Sequence, residues 1–256
     1  MTLIDTLKFP YRYIRYQMAG DIRRRYRWVM CKFFPQLGFP KLGLLVNERE
    51  LLPQYKAAIK YLQEALGAEN IGDYLEFGVC QGTSFSLMYS ALLKAKLNHV
   101  RLFGFDSFEG LPYDEEGIWP QGFFAIDYNY VVESLSAKNI DWSRCSLIKG
   151  LYSDTLNSDL IQKHKLRKAS LIMIDVDLYA SAKEALNFCK PLILDKTIIF
   201  FDEWNFQGLA DRGKGEKRAF DEFLQENREF TATEMGSYSY FPGDNYGKVF
   251  LVRRTE

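Results

Sequence analysis

The chain has 256 residues, 47% of them hydrophobic and 26% charged, a composition that suits one substantial packed core and not a disordered chain. Its 33 basic and 33 acidic side chains cancel to a formal charge of zero, so no global attraction to nucleic acid is expected. With only His99 and His164 present, a histidine-rich metal site is excluded.

Residues 1–45 form a distinct N-terminal extension, ahead of a single domain over residues 46–256. From Lys8 to Lys32 it carries eight basic residues against the one acid Asp21, interleaved with Tyr11, Tyr13, Tyr16, Tyr26 and Trp28. Such a segment can pack as a helix on its own domain or join two subunits in a homo-oligomer. The other reading is contact with an anionic membrane surface, with rings at the interface and arginines on headgroups. No stretch approaches the roughly 18 apolar residues of a membrane span. The first twenty residues also lack the apolar core of a signal peptide, so a cytoplasmic location is expected. Cys31, Cys80, Cys145 and Cys189 are widely spaced, form no CxxC pair and read as reduced thiols.

Glu48 to Leu66 reads as an amphipathic helix, with Leu51, Tyr55, Ala58, Ile59, Leu62 and Leu66 at three-to-four-residue spacing. Short apolar runs then alternate with helical stretches, the pattern of βα units on a mostly parallel sheet. Strands are expected at Tyr74–Phe77, Arg101–Phe105, Ser146–Lys149, Leu171–Ile174 and Thr197–Phe201. Helices are expected at Thr83–Lys94, Ala182–Phe188 and Gly215–Asn227, the last burying Ala219, Phe220 and Phe223. A final strand, Lys248–Val252, is reached through the short link Tyr238–Tyr246, which favours an antiparallel edge. The fold expected is a Rossmann-like α/β domain with a mostly parallel seven-stranded sheet, helices on both faces and an antiparallel edge strand.

Glu76-Phe77-Gly78-Val79-Cys80-Gln81-Gly82 has the form E-x-G-x-x-x-G directly after a strand. Gly78 lets the backbone turn where a side chain would meet ligand, and Gly82 lets loop and helix approach closely. Asp106, ending the next strand, can accept hydrogen bonds from ribose hydroxyls. Glu76 would repel the pyrophosphate of a dinucleotide but attract the methionine ammonium of S-adenosylmethionine. Cys80 lacks a histidine partner and reads as a packing residue.

Open α/β sheets bind ligands at the carboxyl ends of their strands, where Asp175 and Asp177 close one strand and Asp202 and Glu203 the next. Clustered carboxylates raise one another's pKa unless a cation neutralises them, and hard oxygen ligands suit Mg²⁺. The loop Gly110–Tyr130, with Asp114, Glu115 and Trp119, reads as a lid. Asn205–Gly215 and Tyr238–Tyr246 are further candidate rims of the cleft. Glu109 either touches ligand or braces the loop before Pro112.

The chain resembles the TylF-like, or macrocin O-methyltransferase-like, family of class I S-adenosylmethionine-dependent methyltransferases. The likeness is carried by Tyr74-Leu75-Glu76-Phe77-Gly78-Val79 with Gly82, Phe105-Asp106-Ser107-Phe108-Glu109-Gly110-Leu111-Pro112, and Lys149-Gly150 followed by Asp154-Thr155-Leu156. It continues through Ile174-Asp175-Val176-Asp177-Leu178-Tyr179 and Phe201-Asp202-Glu203-Trp204 to Ala219 and Phe220. The resemblance implies methyl transfer from S-adenosylmethionine, with Mg²⁺, to a hydroxyl of a sugar or small natural-product-like acceptor. It implies cofactor contacts at Glu76, Gly78, Gly82, Asp106, Ser107 and Gly150. Metal ligands are implied at Asp175, Asp202 and Glu203, and the general base at Asp177. Described members often have two aspartates and a tyrosine where this chain has Asp202-Glu203-Trp204. The added methylene makes Glu203 the departure that bears on metal geometry. Two other readings of the same residues are an NAD-dependent oxidoreductase and a noncatalytic, membrane-associated scaffold.

Overall fold

A computed structural model of the chain describes residues 48–115, 117, 119–239 and 247–255. The expectations for the basic, aromatic extension and for most of the Tyr238–Tyr246 rim lie outside the described residues.

The domain opens with helix α1 (Glu48–Leu66), which buries Leu51, Tyr55, Ala58, Ile59 and Leu62 along one stripe. Five βα-type strands follow: β1 (Asp73–Phe77), β2 (Leu102–Asp106), β3 (Cys145–Lys149), β4 (Ala169–Ile174) and β5 (Lys196–Phe201). They pair in parallel, and two last strands follow, β6 (Phe230–Tyr238) and β7 (Gly247–Arg254). The whole seven-stranded sheet has the order β3-β2-β1-β4-β5-β7-β6. β7 runs antiparallel to both β5 and β6, so the hairpin closes this side with β6 outermost.

Side chains alternate across each strand and divide the core into two layers. Tyr74, Leu171, Met173, Ile198 and Phe200 face α1 and α2 (Thr83–Lys94). Leu75, Phe77, Ile172, Ile174, Ile199 and Phe201 face the other side. There they pack with α6 (Tyr179–Cys189) and α7 (Gly215–Glu226). Three further helices lie between the strands: α3 (Tyr128–Ser136), α4 (Tyr152–Thr155) and α5 (Ser158–His164). Asp127 caps α3 by accepting from the Tyr130 N–H at 2.9 Å.

The parallel strands are laid down outward in one direction from β1 to β3 and in the other from β4 to β5, so the strand order reverses between β1 and β4. That is the switch point, at whose carboxyl end open α/β sheets hold ligands. The two strand ends are in close contact there. A Cβ on Gly78, whose φ is +88°, would lie 1.7 Å from the Asp175 carbonyl oxygen. The glycine expected to make room for ligand therefore makes room for the neighbouring strand's backbone.

Candidate active site

The loop after β1 winds tightly, with positive φ at Gly78, Cys80 and Gly82. A Cβ on Gly82 would meet the Leu135 side chain of α3 at 2.9 Å, so this glycine serves the close approach of loop and helix. Asp106 holds the loop from the neighbouring strand. Its Oδ2 accepts from the Cys80 N–H at 2.8 Å and its Oδ1 from the Phe108 N–H at 2.7 Å. Burial pushes the Asp106 carboxyl up, and these backbone donors, together with Val79, oppose the shift. The residue read as a ribose acceptor thus first organises the two loops that flank the switch point. With three backbone donors on its two oxygens, the carboxylate keeps room for one more donor.

Two of the expected cofactor contacts have hydrogen-bond partners within the protein. Glu76 shares the face of Tyr74, two residues earlier, and is fully buried against α2. It accepts hydrogen bonds from the hydroxyls of Tyr74 and Ser84 (2.7 Å for Ser84) and so forms the floor of the site. Burial is the main reason its carboxyl is pushed up to about 8, with Asp106 and Asp202 adding repulsion against the lowering by those hydroxyls. The Ser107 hydroxyl accepts from the Glu109 N–H at 3.1 Å and donates to the Gly110 carbonyl at 3.2 Å, holding its own loop. Gly150 donates its N–H to the Asp106 carbonyl at 3.0 Å, at the same end of the sheet. Glu109 pairs with Lys149 at 3.7 Å on the surface.

The acids at the ends of β4 and β5 do converge. Asp175, Asp202 and Glu203 each place a carboxylate oxygen within 4.8 Å of the others. The ladder extends just far enough to align them, since Asp175 N–H donates to Phe77 O (2.9 Å) and Asp202 N–H to Ile174 O (3.0 Å). Asp202 is fully buried and hydrogen-bonded to the Tyr238 phenol. Burial raises the Asp175 carboxyl well above its ordinary range, and the charges that add to the rise are Asp202, Glu203, Asp177 and Glu216. Glu203 is raised well above its range for the same reasons, burial first and then Asp177, Asp202 and Glu216.

Asp177 has already left the strand. It sits at the centre of a tight turn, with φ of +59° and the Leu178 N–H donating to Val176 O at 2.6 Å. Its carboxyl is pushed up to about 7 by burial and then by Asp202, while a hydrogen bond from Trp119 opposes the rise. Trp119 comes from the expected lid. Its ring stacks on Phe123 (4.9 Å between centroids) and on Phe206 (5.6 Å), and meets Phe124 edge-on at 5.2 Å. The same loop supplies Glu115, which accepts from the Tyr179 N–H at the start of α6 at 2.6 Å. A small cleft opens between Trp119, Asp177, Glu203, Phe206 and Leu209. The rim expected at Asn205–Gly215 contributes Phe206 and Leu209 to it.

One acid here escaped the sequence reading. Glu216, in the first turn of α7, is 1% exposed and accepts from the Glu203 N–H at 3.1 Å. Its signal was present, because Glu216, Ala219, Phe220 and Phe223 share helical spacing and hence one buried face.

The sequence matches the macrocin O-methyltransferase (TylF) family over residues 37–228. A comparison with curated protein sequences gave no match. Among solved structures, the O-methyltransferase NovP superposes with a TM-score of 0.62 at 18% identity, covering 82% of this chain and 80% of its own. The calicheamicin methyltransferase CalS11, a TDP-rhamnose 3′-O-methyltransferase, gives a TM-score of 0.61 at 20% identity, covering 92% and 91%. TomG of Streptomyces achromogenes, solved with S-adenosylmethionine, gives 0.53 at 14% identity, covering 80% of each chain. At these identities the structural likeness is one of fold, a Rossmann-like sheet shared with methyltransferases. The family match reaches further: the chain belongs to the macrocin O-methyltransferase family and is, with it, an S-adenosylmethionine-dependent methyltransferase.

Proposed function

We propose that this enzyme methylates a hydroxyl of a small sugar- or natural-product-like acceptor, with Mg²⁺ held by Asp175, Asp202 and Glu203 and with Asp177 as the base. The observation that carries the reading is the convergence of those three carboxylates within 4.8 Å, of which Glu203 lines the cleft together with Asp177. The names of NovP and CalS11 as O-methyltransferases, the latter acting on a nucleotide-linked sugar, support the acceptor class.

The donor set suits a hard divalent cation. All three side chains offer carboxylate oxygens, and Glu203 Oε2 is enclosed without a hydrogen-bond partner among the described residues. The charges that burden Asp175 are all negative, so a cation would offset the repulsion that, with burial, raises this carboxyl. When bound, Mg²⁺ supplies charge neutralisation and lowers the pKa of an acceptor hydroxyl, and S-adenosylmethionine supplies an electrophilic methyl group. Asp177 takes the hydroxyl proton, a role suited to a carboxyl poised at about 7. Asp106, with its remaining acceptor position, receives the ribose, and Gly78 and Gly82 keep the loop close enough for it to do so. Trp119, Phe123 and Phe206 exclude water from the cleft.

Calorimetry with S-adenosylhomocysteine and with NADH separates this reading from the oxidoreductase. S-adenosylhomocysteine should bind and NADH should not. Methyl transfer to a panel of sugar and phenolic hydroxyls should stop with chelator and return with Mg²⁺. Turnover that survives both chelation and Asp175→Asn would overturn the metal assignment.

A further inference from the structure

We infer that Glu216 is a positioning residue for the cation site, clamping together the two strand-end turns that carry its ligands. This rests on the proposal that Asp175, Asp202 and Glu203 hold a divalent cation.

Glu216 is remote in sequence from both turns yet is bonded to each. Its Oε2 accepts from the Glu203 N–H at 3.1 Å, and its carboxylate also accepts from the Val176 N–H. Val176 lies between Asp175 and Asp177, and Glu203 follows Asp202. One side chain therefore fixes the backbone beside every acid of the cluster, including the residue proposed as base. The anchor is rigid, because α7 buries Ala219, Phe220 and Phe223 in the same core layer as Phe201 and Ile174. The first turn of a helix is also where a carboxylate is favoured by the helix dipole.

The other oxygen points to what the clamp serves. Glu216 Oε1 is enclosed and has no hydrogen-bond partner among the described residues. A buried acceptor left unsatisfied is costly, and more so beside other carboxylates. A hydrated cation next to Asp202 and Glu203 brings the missing donor. A helix face built only for packing would place an apolar residue here.

The test is Mg²⁺ and Ca²⁺ affinity of the full chain by calorimetry, together with thermal unfolding in chelator. Mg²⁺ demands near-ideal octahedral geometry, whereas Ca²⁺ tolerates irregular shells, so loosening the clamp should discriminate between them. Glu216→Ala should weaken Mg²⁺ about tenfold to hundredfold, as loss of outer partners of metal ligands does, with Ca²⁺ weakened less than threefold. Glu216→Gln keeps an acceptor for the backbone N–H groups and should bind Mg²⁺ at least threefold better than Glu216→Ala. If Glu216→Ala does not fold, Glu216→Asp replaces it with the same expectation, since it keeps the charge but withdraws the carboxylate by a methylene. Equal losses for both ions, Mg²⁺ affinity within threefold of wild type, or a glutamine variant as weak as the alanine one would overturn the inference. A wild-type chain that binds S-adenosylhomocysteine but no Mg²⁺ would instead overturn the cation site itself.

Discussion

Replacing Gly78 by alanine should damage the fold and the proposed site together. At φ of +88° an L side chain costs about 1–2 kcal/mol. The added Cβ would also lie 1.7 Å from the Asp175 carbonyl oxygen, which must retreat by at least 1.3 Å to reach 3.0 Å, the closest approach that real Cβ atoms show. That oxygen belongs to the residue whose N–H donates to Phe77 O at 2.9 Å, so the β1–β4 ladder loses a bond worth about 1 kcal/mol. The sum is about 2–3 kcal/mol, or a fall in Tm of roughly 4–12 °C for a domain of this size. Gly82→Ala is the control. It carries a similar φ of +72°, but its Cβ meets only the flexible end of Leu135, so its cost should stay near the strain alone. Urea unfolding of both variants, with Mg²⁺ titration, is the assay. A Gly78→Ala loss below about 1 kcal/mol with Mg²⁺ affinity unchanged would refute the reasoning.

Further expectations follow from the buried acids and the lid. Glu76, pushed up to about 8 from 4.5, holds a proton in the folded chain that the unfolded chain has released between those values. Its contribution is therefore present at low pH and is lost as pH rises toward 8, at roughly 1.36 kcal/mol per unit, and Glu76→Gln should flatten that slope in urea unfolding of the metal-free chain from pH 5 to 8.5. Trp119→Phe keeps a ring between Phe123 and Phe206 but removes the N–H that stabilises the Asp177 carboxylate. The acidic limb of its kcat/KM profile should move to higher pH. Asp106→Asn should weaken S-adenosylhomocysteine by about tenfold or more in calorimetry, because a carboxylate holding two loops has charge-assisted bonds that an amide cannot match. Asp177→Asn should bind S-adenosylhomocysteine as the wild type does while kcat falls by about 10² or more in a methyl-transfer assay.

Much of the scaffold was legible because its signals are local. Helix α1 spans the residues its periodicity marks, and five strands of the parallel set lie where short apolar runs meet glycine or acid. β6 was not assigned as a strand. Its register slips between Glu234 and Gly236, so the alternation that would mark it breaks in the middle. The acids were legible as a set, because two neighbouring parallel strands ending in D-x-D and D-E must bring them to one rim. Roles that depend on which way a side chain points were harder. The place of Glu76 before Gly78 carries its expected role, but not the hydroxyls of Tyr74 and Ser84 that strand alternation and α2 bring to it. Trp119 meets Asp177 across 58 positions of chain through a loop without periodicity, and nothing local announces that pairing. Glu216 could have been found, since a carboxylate on an otherwise apolar helical stripe requires a buried polar partner.

The measurement that bears most directly on the account is anomalous diffraction from crystals grown with S-adenosylhomocysteine and Mn²⁺ in place of Mg²⁺. The account predicts one strong peak between Asp175, Asp202 and Glu203, with the cofactor product across the β1–β4 switch point and Asp177 facing the space beside its sulfur. A peak elsewhere, no peak at saturating Mn²⁺, or an Asp177 carboxylate turned away from that space would contradict it.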